Sequence, residues 1–125
     1  MKKIITTDLA PRAVGPYSQA IAAGDLVFCS GQIGIDPATG QMAGPGIEEQ
    51  VRQCLLNLSA VLEAAGSGLP NVVKTTVFLI DMNDFAVMNN VYSSVFTGEP
   101  PARSAVAVSA LPKGARAEIE AIALR

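Results

Sequence analysis

Apolar positions along the chain change their period several times, and each change marks an element. Ile47, Val51, Cys54, Leu55, Leu58, Val61, Leu62 and Ala65 recur at helical spacing, while Glu48, Glu49, Arg52, Gln53 and Glu63 lie off that stripe. The pattern predicts an amphipathic helix. Glu48 and Glu49 fall in its first turn, where they complement the helix dipole, and Gly66 stands where a left-handed cap is wanted. A second helical stripe joins Phe85, Met88, Val91, Tyr92, Val95 and Phe96, with Asp81 or Asp84 as its cap and Gly98, Pro100 and Pro101 as its stop. Between the helices, Val72 to Ile80 is rich in β-branched residues and reads as a central strand covered on both faces.

The other segments alternate with period two. Lys3 to Thr6 predicts a first strand; Gln19 to Ala23 and Leu26 to Ser30 predict a hairpin-like pair around Gly24-Asp25. Arg103 to Ser109 and Arg116 to Leu124 predict two closing strands, joined through Leu111-Pro112-Lys113-Gly114. The resulting order, β-β-β-α-β-α-β-β, predicts an α+β fold: one mixed sheet of about six strands with two helices packed on one face. One sheet face is then left without a cover.

Composition sharpens that last point. Of 125 residues only 16% are charged while 50% are hydrophobic, against roughly 25% charged in an average soluble domain. So little surface charge favours burial of the open face against another subunit. The length and the absence of any linker predict one domain over residues 1–125. Histidine and tryptophan are absent, which removes serine or cysteine nucleophiles paired with histidine and any histidine-ligated metal. Cys29 and Cys54 lack a metal-binding spacing and read as buried thiols, so no metal site is expected. A net charge of -2 with pI near 5.0 argues against a nucleic-acid partner. Near the N-terminus, Asp8 and Pro11 interrupt any signal-peptide core, and no stretch is apolar enough for a bilayer, so a cytoplasmic location without membrane contact is expected.

Alternation over Arg103 to Ser109 sets Arg103, Ala105, Ala107 and Ser109 on one face. An arginine beside small side chains has room to grip a carboxylate bidentately. On the last strand Arg116, Glu118 and Glu120 share a face, the two carboxylates about 7 Å apart. Spacing alone equally allows a plainer reading, in which Arg103 pairs with Glu118 or Glu120 across strands and only holds the sheet. Other candidates carry similar alternatives. Tyr17, after the Gly15-Pro16 turn, can line a site or cap the core; Ser30-Gly31 can be a bulge or a close backbone approach to a ligand. Asn89 can be a ligand group or a solvated amide, and Met82 and Met88 read as core filling.

Several of these segments together resemble the RidA family, also called YjgF, of small reactive-intermediate deaminases. The matching stretches are Ala13-Val14-Gly15-Pro16-Tyr17-Ser18-Gln19-Ala20, Ser30-Gly31-Gln32-Ile33, Lys74 to Leu79 with Asp84-Phe85, Asn89 and Tyr92, Pro101-Ala102-Arg103-Ser104, and Leu111-Pro112 followed by Glu118-Ile119-Glu120. The resemblance implies a chorismate-mutase-like fold assembled as a homotrimer around a central β-barrel, with ligand clefts between subunits. It also implies hydrolysis of 2-iminobutanoate and 2-iminopropanoate to 2-oxo acids and ammonia, without a cofactor. Carried over residue by residue, Arg103 would bind the substrate carboxylate and Glu118 would activate water. Tyr17, Ser30, Gly31, Asn89 and the backbone of Ala105 would line the cleft. Ala105 stands where many relatives have cysteine, which puts any thiol role in doubt, and the loop from Phe96 to Pro101 is shorter than in many. Two other functions compete: a non-catalytic module that senses 2-oxo acids through the same arginine, and a ribonuclease, which the acidic pI, the missing histidine and the few aromatics disfavour.

Overall fold

The computed structural model describes all residues from Met1 to Arg125. Three strands, β1 (Lys2–Ile5), β2 (Ala20–Ala23) and β3 (Leu26–Ile33), precede helix α1 (Ile47–Ala64). Strand β4 (Val72–Leu79), helix α2 (Phe85–Val95), β5 (Ala102–Ala107) and β6 (Ala117–Leu124) follow. The six strands form one sheet in the order β1-β2-β3-β6-β4-β5. Only β4 and β5 run parallel; a parallel pair needs a crossover, and α2 supplies it. The expected order and α+β class are those observed.

Both helices cover the same side of the sheet. Val51, Cys54, Leu55, Leu58, Val61 and Leu62 of α1 and Met88, Val91 and Tyr92 of α2 share one buried core with Val27, Val77, Leu79, Ala117, Ile119, Ala121 and Ala123 of the strands. Gly66 takes a φ of +80 just beyond α1, the left-handed conformation that glycine adopts without penalty.

Three details depart from expectation. Val72–Leu79 is central in the sheet but covered on one side only: Val72, Thr75, Val77 and Leu79 are buried, while Lys74, Thr76 and Phe78 on the other face stay partly exposed. A continuous run of β-branched residues therefore signalled strand but not double burial. Strand β3 continues past Ser30 to Ile33, because a bulge between Cys29 and Gln32 absorbs the irregularity without ending the pairing to β6. Neither aspartate caps α2 directly. Asp81 caps the short turn before it, accepting from the Asn83 N–H at 2.8 Å, whereas buried Asp84 binds the Arg116 guanidinium at 2.8 and 2.9 Å.

The opposite sheet face is open and carries exposed apolar side chains. Its side chains form rows across the strands, Ile4-Ile21-Phe28-Ile122 in one and Ile33-Glu118-Phe78-Val106 in another. Phe28 is 44% exposed, Val106 43% and Leu124 49%, and a polar row, Glu120-Thr76-Ser104, runs between the two; large side chains left open on one face are the mark of a surface that meets a partner.

Candidate active site

Arg103 sits on the helix side of the sheet, directly opposite Thr75 on β4. Its Nη1 donates to Asn89 Oδ1 at 2.8 Å and approaches Met88 Sδ at 3.8 Å. The guanidinium lies 4.8 Å from the centre of the Tyr92 ring and 5.6 Å from that of Phe85. No carboxylate pairs with it: the ion pairs of the chain are Arg12–Asp8, Arg52–Glu48 and Arg116–Asp84. Its Nε–H and Nη2 make no hydrogen bond within the protomer, and Arg103 borders a hollow of about 560 Å³ lined by Asn89, Tyr92, Phe96 and Pro101 among others. A half-buried cation with its side-on fork free is suited to bind a carboxylate from outside the protomer.

Glu118 lies on the other face. Its side chain packs over Gly31, where a Cβ would overlap the carboxylate, with Glu118 Cδ only 2.8 Å away. Burial, followed by the nearby charge of Glu120, raises the Glu118 pKa above the ordinary carboxylate value. It borders a cavity of about 480 Å³, together with Tyr17, Gly31, Arg12, Lys113 and the loop from Asp8 to Pro11. Gln19, 3% exposed, holds that loop in place. Its Oε1 accepts the Thr7 N–H at 2.7 Å and its Nε2 donates to the carbonyls of Thr7 at 3.0 Å and Pro11 at 2.7 Å.

The remaining candidates distribute between these two places. Tyr17 is 51% exposed, so it does not cap the core; its hydroxyl accepts the Val14 N–H at 3.4 Å. It borders both the Glu118 cavity and an adjoining groove that holds Ser30. The Ser30 hydroxyl donates to the Ser18 carbonyl at 2.6 Å, tying the bulge to the Tyr17 turn. Asn89 is no free amide, since it holds Arg103. Ala105 shares the face of Arg103 but lies opposite Val77 and packs against the core. Met88 fills the core, fully buried, and touches Arg103 as well, whereas Met82, 46% exposed in the turn before α2, is not core filling.

A cross-strand pair of Arg103 with Glu118 or Glu120 does not form. Strand β4 separates β5 from β6, and Arg103 and Glu118 point to opposite faces, Arg103 in register with Thr75 and Glu118 with Phe78. One protomer therefore carries two half-sites. Gln19 and Lys113 escaped the sequence reading, the first because a buried amide has no local signature. Lys113, at a φ of 57 in the left-handed region, is hinted at only by the Pro-Lys-Gly turn. Both cysteines are buried; burial pushes Cys29 up to about 12 and Cys54 higher still, so neither is a nucleophile. No three histidine, cysteine, aspartate or glutamate side chains converge to hold a metal.

Known proteins share this sequence pattern and fold. Residues 7–125 match the family described as Endoribonuclease L-PSP. The chain belongs to that family. It is the RidA (YjgF) group to which the sequence motifs pointed. A mouse relative, 50% identical over 125 residues that cover 100% of this chain and 93% of its own, is named 2-iminobutanoate/2-iminopropanoate deaminase. The human protein of the same name is 48% identical, covering 100% of this chain and 91% of its own. A RutC family protein of Pyrococcus horikoshii is 55% identical over 100% of this chain and 99% of its own. Among solved structures, the E. coli YjgF gene product superposes with a TM-score of 0.95 at 47% identity, covering 98% of each chain. E. coli TdcF with bound serine gives 0.95 at 45% identity, again with 98% of each covered. RidA-family chains thus share this fold across the whole length, and deaminases stand at about half identity to this one. No helix is long and apolar enough to cross a membrane.

Proposed function

We propose that the chain hydrolyses short 2-imino acids, the tautomers of enamines such as 2-aminoacrylate, to 2-oxo acids and ammonia. The reaction takes place in clefts between the subunits of a homotrimer whose open sheet faces close into a barrel. The observation that carries this reading is the free fork of Arg103: a positioned guanidinium without a carboxylate partner. The bound serine of the TdcF structure also carries a carboxylate. Relatives at about 50% identity bear the deaminase name. Because Arg103 and Glu118 lie on opposite faces of one protomer, a cleft that uses both draws them from neighbouring subunits.

In that cleft Arg103 of one subunit grips the substrate carboxylate and presents the imine carbon. Glu118 of the next takes a proton from water as the oxygen adds to that carbon and the C=N electron pair moves to nitrogen. The carboxyl returns the proton to nitrogen; the same carboxylate then takes the proton of the carbinolamine hydroxyl and delivers it to that nitrogen as the C=O bond forms and the C–N bond breaks, leaving the 2-oxo acid and ammonia. Water addition and proton transfer balance the reaction without a redox partner. Imines hydrolyse unaided, so a modest acceleration suffices, each tenfold corresponding to about 1.4 kcal/mol, and positioning supplies much of it. Tyr17, Ser30, Gly31 and Asn89 shape the cleft, and Ala105 offers only its backbone.

The family description favours a second reading, RNA cleavage. Against it stand the acidic pI, the absence of histidine as a proton carrier and the presence of only 4 Phe and 2 Tyr for base stacking. A coupled assay with a serine or threonine dehydratase decides. Purified chain should accelerate ammonia release, and Arg103→Ala should abolish the acceleration while the protein stays folded and assembled. Binding of 2-oxobutanoate without any acceleration would make the chain a sensor instead, and normal turnover by Arg103→Ala would remove the clamp. RNA cleavage that persists through further purification would restore the nuclease.

A further inference from the structure

Helix α2 presents Phe85, Met88, Asn89 and Tyr92 at positions i, i+3, i+4 and i+7, a single stripe along the helix. All four meet one side chain, Arg103. Their contacts differ in kind. Asn89 and Met88 engage Nη1 alone, at 2.8 and 3.8 Å, which fixes one nitrogen but leaves the guanidinium free to turn about it. The Tyr92 ring, 4.8 Å from Cζ, is nearer than Phe85 at 5.6 Å. Attraction between the cation and the ring favours a set position over the ring face.

Tyr92 is itself anchored. Only 5% exposed, it shares a 2.6 Å hydrogen bond with Thr75 Oγ1, and Thr75 is the residue opposite Arg103 in the β4–β5 register. Arginine, ring and threonine close a triangle between α2 and two strands. Burial keeps the phenol neutral well above physiological pH. A tyrosine at this place is more than core filling, since an aliphatic side chain of similar bulk would fill the space without a π face or an anchor.

We propose that Tyr92 is the positioning residue for Arg103, its Thr75-anchored ring holding the guanidinium so that the Nε and Nη2 edge stays turned toward the incoming carboxylate. The inference rests on the reading of Arg103 as the carboxylate clamp and adds to it which side chain aims the clamp. Tyr92 is not a catalytic residue, since it acts through Arg103. Because the clamp grips the carboxylate throughout the reaction, a loss of aim weakens ground and transition states alike: KM rises and kcat stays nearly level.

The test uses 2-oxobutanoate, the product carboxylate, in calorimetric titrations of the assembled protein, with imine turnover measured in parallel. Tyr92→Met keeps bulk and removes the ring, and about a tenfold weaker Kd and a matching rise in KM are expected. Tyr92→Phe keeps the ring but loses the Thr75 anchor, so a smaller weakening, up to about threefold, is expected. In an Arg103→Lys background, Tyr92→Met should add little further loss, because its effect runs through the guanidinium. Should Tyr92→Met fail to fold, Phe85→Leu at the half-buried end of the stripe serves, with a few-fold weakening expected. Unchanged 2-oxobutanoate affinity in a folded Tyr92→Met protein, or full multiplication of its effect with that of Arg103→Lys, would overturn the proposal. Failure of the unaltered protein to bind 2-oxobutanoate would overturn the clamp reading itself, a separate outcome.

Discussion

At the scale of single residues, Glu118 makes the sharpest demand on solvent conditions. Its pKa lies above the ordinary carboxylate value because the side chain is half-buried over Gly31 and has Glu120 as a neighbour. As a base it works only when ionised, so activity should climb with pH through that raised value and the acid limb should lie above the usual glutamate range. Stability runs in the opposite sense. The folded chain holds this proton more tightly than the unfolded one, so the contribution is favourable below the ordinary value and is lost as pH rises through the folded one. Glu118→Gln should therefore erase the acid limb, lower kcat by about 10²-fold or more, and leave 2-oxobutanoate binding nearly intact. A pH–rate profile of both proteins checks this; an acid limb that survives Glu118→Gln would assign it to another group. Ser30 and Tyr17 impose less, since their polar contacts are made within the protomer.

At the scale of elements, strands and helices were legible to within a few residues because period and turn chemistry are local. Alternation placed Arg103 and Ala105 on one face and Glu118 and Glu120 on one face, and both placements hold within their own strands. What alternation could not show is which strands become neighbours. Strand β6 inserts between β3 and β4, so the cross-strand pair of Arg103 with Glu118 or Glu120 that spacing allowed is ruled out by long-range order that no window of sequence contains. The bulge in β3 was visible only as Ser30-Gly31. Its consequence, a floor with no Cβ under the Glu118 carboxylate, required the paired strand. Gly31→Ala should push Glu118 off that floor while leaving the Arg103 half-site untouched. A loss of rate of about 10²-fold with unchanged 2-oxobutanoate affinity is expected, since misplacing a reacting group by about 1 Å costs that much. Steady-state kinetics beside calorimetry would show it, and a fall in affinity as large as the fall in rate would count against the assignment.

At the scale of the whole molecule, the apolar sheet face and the split site are two expressions of one arrangement. Phe28, Phe78, Val106 and Ile122 form the face that carries Glu118, while Arg103 hangs from the helix side at the outer strand β5. A ring of subunits that packs the open faces inward can bring the edge of one chain against the face of the next, burying apolar surface and joining the half-sites in one step. In the proposed ring that face is covered, in keeping with the low surface charge, and Val106→Asp should lower the mass in sedimentation and abolish turnover together. Joined half-sites also make a quantitative demand on mixtures. Arg103→Ala and Glu118→Gln are each expected to be nearly inactive alone. Co-expressed in equal amounts, the two variants should mix in the proposed ring, where a given cleft draws its arginine and its carboxylate from independent subunits, each intact half the time. About a quarter of the clefts should then be whole, and about a quarter of wild-type turnover should return. A cleft built within one protomer would never be repaired by mixing, so turnover no higher than that of the separate variants would refute the shared site.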